Sequence, residues 1–309
     1  MSEYHIPVLL DESVTALVGD ALSGVYADAT FGGGGHSREI LSRLTQAGRL
    51  LAFDRDSDAL ANKPDDNRLV LIHNNFRFIH NYVLAEGYGD GIDGILADLG
   101  VSSHQFDTAD RGFSFRFDAE LDMRMNKEGG ITAADLVNGL DEAGLARILK
   151  VYGEVEGAGK MASLIVRARE KQAIRSTGEL SSAIAPMLPK FAEHKVLAKV
   201  FQALRIEVNQ EMRSLEKFLQ GAVLSLKPGG RLVVITYHSL EDRMVKNFIR
   251  SGNVDGVMEK DLYGRSNAPL EAVNRKPILP REEEISSNTR ARSAKLRVAV
   301  KKEETAYGK

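Results

Sequence analysis

The chain has 309 residues, 43% of them apolar and 27% charged, and a net charge of −2. This is the make-up of a globular protein large enough for one big domain, or for a core domain carrying a smaller one, and it excludes a uniformly basic surface, so contact with nucleic acid has to come from local patches. Cysteine is absent, which removes disulfides, thiolate metal sites and every mechanism with a cysteine nucleophile.

The first residues, MSEYHIPVLLDESV, lack the basic start and apolar run of a secretion signal. No stretch approaches the roughly 18–20 apolar residues that span a bilayer, so a cytoplasmic location is expected. Short apolar runs then alternate with helical patterns, which predicts a parallel sheet with crossover helices. GVYADAT (Gly24 to Thr30) reads as strand one, FGGGGHS as a loop and REILSRL as a helix. GRLLAFD is strand two, ending near Asp54; NRLVLIHNNF is strand three, ending near Phe76; IDGILADLG is strand four, ending near Asp98. From Gln105 to Gly130 periodicity fades, and phenylalanines mix with arginines. Helical spacing resumes in Met161, Leu164, Ile165 and Ala168, and Ser176 with Glu179 has the spacing of a capping box. One longer pattern runs from Phe201 through Leu204, Val208, Met212 and Leu215 to Leu219. After the breaker Lys227-Pro228-Gly229-Gly230, RLVVITYHS is a buried strand, and AKLRVAV is a last strand expected to pair with one near Val257. The predicted fold class is α/β, a Rossmann-like doubly wound sheet with an inserted helical domain: residues 1–104 and 206–309 form the core, and residues 105–205 form an insert expected to recognise substrate.

In such a sheet, ligands bind at the carboxyl ends of the strands, near the switch in strand order. Gly32, Gly33, Gly34 and Gly35 remove side chains where a backbone must approach a ligand or adopt positive φ. Asp54 ends strand two, where a carboxylate can accept from ribose hydroxyls. Phe76 can lie against an adenine face, and Asp98 faces the reacting centre. Singly these features read as a tight turn, helix caps and a core ring; together, at one end of one sheet, they point to a nucleotide-type cofactor. NAD calls for G-x-G-x-x-G, with pyrophosphate on a helix N-terminus. Here His36, Ser37 and Arg38 stand where the last glycine should fall. S-adenosyl-L-methionine carries no phosphate and does not need that geometry, and the KPGGRLVVI turn also resembles class I methyltransferases. S-adenosyl-L-methionine is therefore the expected cofactor.

Longer blocks make the resemblance specific. HIPVLLDE (His5 to Glu12), DATFGGGGHS (Asp28 to Ser37), DLGVSSHQFD (Asp98 to Asp107), RGFSF (Arg111 to Phe115) and LDMRM (Leu121 to Met125) are followed by FQALRIEVN (Phe201 to Asn209), YHSLEDR (Tyr237 to Arg243) and TRARSAKLR (Thr289 to Arg297). In this order, over nearly the whole chain, they resemble the MraW family of ribosomal RNA small-subunit methyltransferases. The resemblance implies N4-methylation of a cytosine in the decoding region of 16S rRNA, with the small ribosomal subunit as substrate. It also implies cofactor contacts at Gly34, Gly35, His36, Asp54, Phe76, Asp98 and Gln105. Tyr237 stands where the family block often has Phe, and Thr289 where Pro is expected; neither changes the implied chemistry.

The lack of cysteine fits this target, because pyrimidine C5 methylation generally needs a cysteine nucleophile, which leaves an exocyclic nitrogen or a ribose hydroxyl open. A cytosine N4 lone pair is delocalised into the ring, so acceptors on the amino hydrogens help to localise it, and the work is positioning and electrostatics. Exocyclic-amine methyltransferases acting on DNA usually carry D/N/S-P-P-Y after strand four, whereas this chain has Asp98-Leu99-Gly100-Val101. Asp98 is the first choice for the amine acceptor, with a purely cofactor-holding role equally open. His238 is the second catalytic candidate, against helix capping; capping is the favoured reading for Glu241 and Asp242. Arg111, Phe113, Phe115 and Arg124, with Phe106, Phe117 and Arg116 in the same loop, suit a flipped base and its phosphates, or else pin the loop to the insert. Arg290, Arg292, Lys295 and Arg297, with Lys301 and Lys302, form a candidate basic ridge on an edge strand, against solvated charge that blocks aggregation. Nothing in the sequence calls for a metal, and a homodimer is compatible with it. Two other functions stay open at this point: a methyltransferase for a small molecule or protein, and a non-catalytic ribosome-assembly factor.

Overall fold

The computed structural model describes residues 7–100, 111–260, 264 and 266–303. The chain divides into two compact units, residues 1–100 with 213–309, and residues 101–212.

The first unit begins with α1 (Leu10–Val18), β1 (Val25–Asp28), α2 (Gly35–Arg43), β2 (Arg49–Asp54), the short α3 (Ser57–Leu60), β3 (Leu69–His73), α4 (Ile79–Ala85) and β4 (Ile92–Asp98). These strands make a seven-stranded sheet with β5 (Leu226–Thr236), β6 (Leu270–Ala272) and β7 (Lys295–Lys301), in the order β3-β2-β1-β4-β5-β7-β6. The pairs β1–β2, β2–β3, β1–β4 and β4–β5 are parallel, and β7 runs antiparallel between β5 and β6. The order reverses between β1 and β4, which opens a crevice at their carboxyl ends. The central strands are near-continuous apolar runs because both faces are covered. On one face Tyr26, Leu50, Ala52, Leu96, Val233 and Ile235 pack with Val14 and Leu17 of α1 and Ile40 and Leu41 of α2. Their alternates Ala27, Leu51, Phe53, Ile95, Ala97 and Val234 pack with Ile79, Phe218 and Phe248 on the other.

Several details differ from the sequence reading. Strand three stops at His73, and Phe76 instead opens a 3-10 turn, Phe76–Phe78, capped by the Asn75 side chain accepting from Arg77 N–H. The two preceding asparagines turn the chain through their own side chains, as this residue type does. Lys227–Gly230 does not precede β5 but bulges within it, between the pairs Ile92↔Leu226 and Gly94↔Arg231. The partner of β7 is Leu270–Ala272 rather than a strand near Val257. Asn253 binds both the N–H and the carbonyl of Val257 with its amide, which folds that segment into a turn and keeps it off the ladder.

The second unit is helical: α5 (Ala133–Gly139), α6 (Glu142–Val151), α7 (Ala158–Arg169), α8 (Thr177–Ile184) and α9 (Glu193–Val208). Ser176 and Glu179 form the predicted capping box at the start of α8. Met161 and Ile165 meet Leu145, Ile148, Leu180, Leu197, Phe201 and Leu204 in its core. The single long pattern from Phe201 to Leu219 is two helices, α9 and α10 (Glu211–Ser225), because Gln210 has φ 50 and interrupts the run. Asn209 holds this break, with its amide donating to Met123 O and accepting from Met125 N–H. A boundary at 205/206 would therefore cut through α9, whose apolar face belongs to the helical unit.

Candidate active site

The loop from β1 to α2 is built around Asp28. Its carboxylate is fully buried and accepts from Thr30 N–H at 3.1 Å and from the Ser37 hydroxyl at 2.6 Å. Burial pushes this carboxyl up, and the two hydrogen bonds oppose the shift. Asp28 thus ties the strand end to the first turn of α2. It was not among the sequence candidates, although a charge closing an apolar strand is a visible signal. Between those anchors Gly32 and Gly34 adopt φ 51 and 75, the left-handed region that favours glycine. A Cβ on Gly34 would come within 2.9 Å of the Phe31 ring, and one on Gly35 would overlap Pro7.

Asp54 lies across from this turn. One oxygen accepts from Gly32 N–H at 2.7 Å and the other from Asp56 N–H at 2.8 Å. Burial pushes its carboxyl up, partly offset by those bonds. A carboxylate offers about four acceptor positions, so Asp54 can hold the glycine turn and still receive a hydroxyl. Phe76 is half-buried, with its ring edge-on to Phe218 at 5.2 Å and 83°. The ring is thus partly core.

Asp98 closes β4. Its N–H donates to Thr30 Oγ1 at 2.7 Å, its Oδ1 accepts from the Tyr237 hydroxyl at 2.7 Å, and its Oδ2 lies 3.8 Å from His36 Nδ1. Burial pushes the carboxyl up to about 6, against the pull of His36 and the Tyr237 bond. His36 is buried with Nε2 3.2 Å from the Val8 carbonyl. A carbonyl can only accept, so the ring carries a proton at Nε2, and burial holds the imidazole below its usual pKa.

His238 is the N-cap of α11 (Ser239–Ser251), in a capping box with Glu241. Its Nε2 is 3.1 Å from Glu241 Oε1. Asp242 is taken up by Arg297 at 2.6 Å and Lys295 at 3.3 Å. These partners give His238 and Glu241 the helix-capping geometry weighed for them, and give Asp242 an ion pair instead.

The expected RNA contacts divide sharply. Arg111 is buried and donates to the carbonyls of Arg124 and Met125, Phe113 sits in the core of the helical unit, and Phe115 packs edge-on to Phe201 at 5.5 Å. Arg124 forms a two-pronged pair with Asp122. Those four side chains build the insert's own framework. Gln105 and Phe106 lie outside the described residues. Strand β7 is not an edge strand, since β6 covers it, and Lys295 and Arg297 face Asp242; Arg290 is half-buried and Arg292 exposed. Among the described residues, the exposed phenylalanines of the insert are Phe117, at 56%, and Phe191, fully exposed, the second missed in the sequence. The contact between Phe115 and His194, with ring centroids 5.6 Å apart, brings their two segments together.

A sheet of this order with β7 antiparallel, a left-handed glycine turn after β1 and carboxylates ending β1, β2 and β4 defines a class I S-adenosylmethionine-dependent methyltransferase. Within that class, residues 2–302 match the MraW methylase family, and the chain belongs to it. It is 57% identical over 299 residues to the ribosomal RNA small subunit methyltransferase H of Bacteroides fragilis, covering 97% of this chain and 98% of that one. The Bacteroides thetaiotaomicron protein of the same name is 56% identical, and that of Flavobacterium johnsoniae 52%, with the same coverage. Among the described residues no helix is long and apolar enough to cross a membrane.

Proposed function

We propose that this protein transfers a methyl group from S-adenosylmethionine to the exocyclic N4 of a cytosine in the decoding region of 16S rRNA, with the small ribosomal subunit as substrate. The name borne by its relatives supports the RNA and the subunit. The observation that carries the chemistry is Asp98, a carboxylate fixed at the switch point of the sheet beside the glycine turn.

The residues present fit the cofactor. The turn at Gly32 and Gly34 is a cradle without side chains, which a Cβ would fill or strain. Gly34, Gly35 and His36 would hold the amino-acid end, Asp54 the ribose hydroxyls and Phe76 one face of the adenine. When bound, S-adenosylmethionine supplies an electrophilic methyl on a sulfonium leaving group. The protein's share is alignment and polarisation. With a pKa of about 6, Asp98 is ionised at neutral pH and can accept from an amino hydrogen, which localises the lone pair on N4. His36, fixed by Val8, lines the same carboxylate.

RNA contact falls to the exposed groups. Phe117 and Phe191, near Arg116, Lys190 and Lys195, offer stacking faces and cations on the insert, and Arg292 offers an exposed cation on the core. The test is methyl transfer from tritiated S-adenosylmethionine to small subunits lacking their native methylations, followed by nucleoside analysis. Label in N4-methylcytidine is the expected result. Label confined to a small molecule or protein, or cofactor binding without transfer, would overturn the assignment.

A further inference from the structure

Tyr237 occupies the first position after β5, beside the end of β4, where Asp98 pairs with Ile235. Its backbone N–H is held by Glu241 Oε2 at 2.9 Å. Its ring lies against Gly100, where an added Cβ would come within 3.3 Å of the ring carbon Cδ2. Gly100 itself has φ 107, a backbone state that suits glycine and leaves room for the ring. The side chain is therefore fixed at both ends, and its hydroxyl reaches Asp98 Oδ1 at 2.7 Å. A phenylalanine, which the resembling motif often has here, would fill the same space and offer no donor.

We propose that Tyr237 is a positioning residue for Asp98: its hydroxyl engages Oδ1 and leaves Oδ2, beside His36, as the oxygen presented to cofactor or amine. The inference rests on the reading of Asp98 given above. A carboxylate with one oxygen so engaged has a single orientation, whereas a free one would turn about its last bond. The same bond favours the ionised carboxylate, because a phenol donates to it better than to the neutral acid. Burial raises the Tyr237 phenol well above its usual pKa, helped by the Asp98 and Glu241 charges, so it stays a donor throughout the working pH range. The other charged and titratable groups around Asp98 are His36 from α2, Asp28 from β1 and Glu241 from α11, while Glu284 from α12 (Glu282–Ser287) acts on Tyr237. Among these, Asp28 and Glu241 push the Asp98 carboxyl up, and His36 with Tyr237 opposes them.

The test is Tyr237→Phe, which keeps the ring. The Asp98 carboxyl is followed by its carbon-13 shift in the full-length protein, and single-turnover methyl transfer is measured across the acidic range. The expected result is an Asp98 midpoint raised by at least about half a pH unit, with the acid limb of the rate profile moving by the same amount. Adding Tyr237→Phe to Asp98→Asn should leave the pH profile of the single variant unchanged. An unmoved Asp98 midpoint, or a rate profile superimposable on the parent's, would overturn the proposal. The carboxyl titration needs no methyl transfer, so failure of the rRNA assignment would be seen separately.

Discussion

Arg297 Nε lies 2.6 Å from Asp242 Oδ1, joining β7 to α11 through two side chains only 11% and 14% exposed. Burial pushes Asp242 up, but the hydrogen bond and charge of Arg297, with Lys295, outweigh it and hold the carboxyl below the usual range. Arg297→Met should lower the unfolding free energy by about 2–3 kcal/mol at neutral pH, between the values for exposed and buried pairs. For a carboxyl lowered on folding, the stabilisation is present above its unfolded pKa and is lost as pH falls through the folded one. Urea unfolding should therefore show the deficit of the variant shrinking below about pH 4. A deficit that is the same at acid and neutral pH would mean that packing, not the ion pair, is what Arg297 supplies.

That pair also shows where the sequence was readable. The sheet, its switch point and the carboxylates ending β2 and β4 were legible because buried parallel strands are apolar runs and the glycine turn follows one of them, whereas Asp28 at the end of β1 was passed over. The capping box at Ser176 was legible for the same reason: its signal is local. The basic ridge was not, because Asp242 lies 55 positions before Arg297 and only the fold brings them together. The break at Gln210 was hidden because apolar spacing passes through it, whereas the cause is Asn209 meeting Met123 and Met125. Tyr237 was visible as a departure from a motif and Asp98 as a candidate, but the contact between them, 139 positions apart, was not.

Asp54 offers a second test, because it serves the glycine turn as well as any ligand. Asp54→Ala removes the acceptor for Gly32 N–H and Asp56 N–H together. Losing those bonds and a ribose contact should weaken S-adenosylmethionine binding about 10–100-fold, on the order of 1–3 kcal/mol. Calorimetric titration of the folded variant measures this directly. An unchanged dissociation constant would remove Asp54 from the cofactor site.

In the insert, two phenylalanines four positions apart should behave oppositely. Phe113 is 4% exposed in the helical core, and Phe117 is 56% exposed. Phe113→Ala should destabilise the protein by about 3–5 kcal/mol through the cavity it leaves. Phe117→Ala should change stability by less than about 0.5 kcal/mol and weaken binding to the small subunit, since one stacked base is worth about 1–3 kcal/mol. Thermal unfolding and filter binding on the same two variants separate the roles. Unaltered subunit binding by Phe117→Ala would take that ring out of the RNA surface.

Asp98 should be a burden to the fold as well as a tool of the site. Its carboxyl rises to about 6 in the folded protein, chiefly through burial, whereas an unfolded aspartate titrates near 3.9. The folded state then holds the proton more tightly, so its stability declines as pH rises from the unfolded pKa to the folded one, and the loss is complete above about pH 6. Asp98→Asn removes that charge, and the amide oxygen can still accept from Tyr237. The variant should be more stable than the parent by roughly 1–3 kcal/mol at pH 8, with the gap closing below about pH 4, where both side chains are neutral. Its single-turnover methyl transfer should fall at least about 100-fold, the trade expected where a site keeps a charge that folding opposes. Melting temperatures at the two pH values, read beside the single-turnover rate, decide it. A variant that is less stable at pH 8 would show that the Asp98 charge is compensated in the fold.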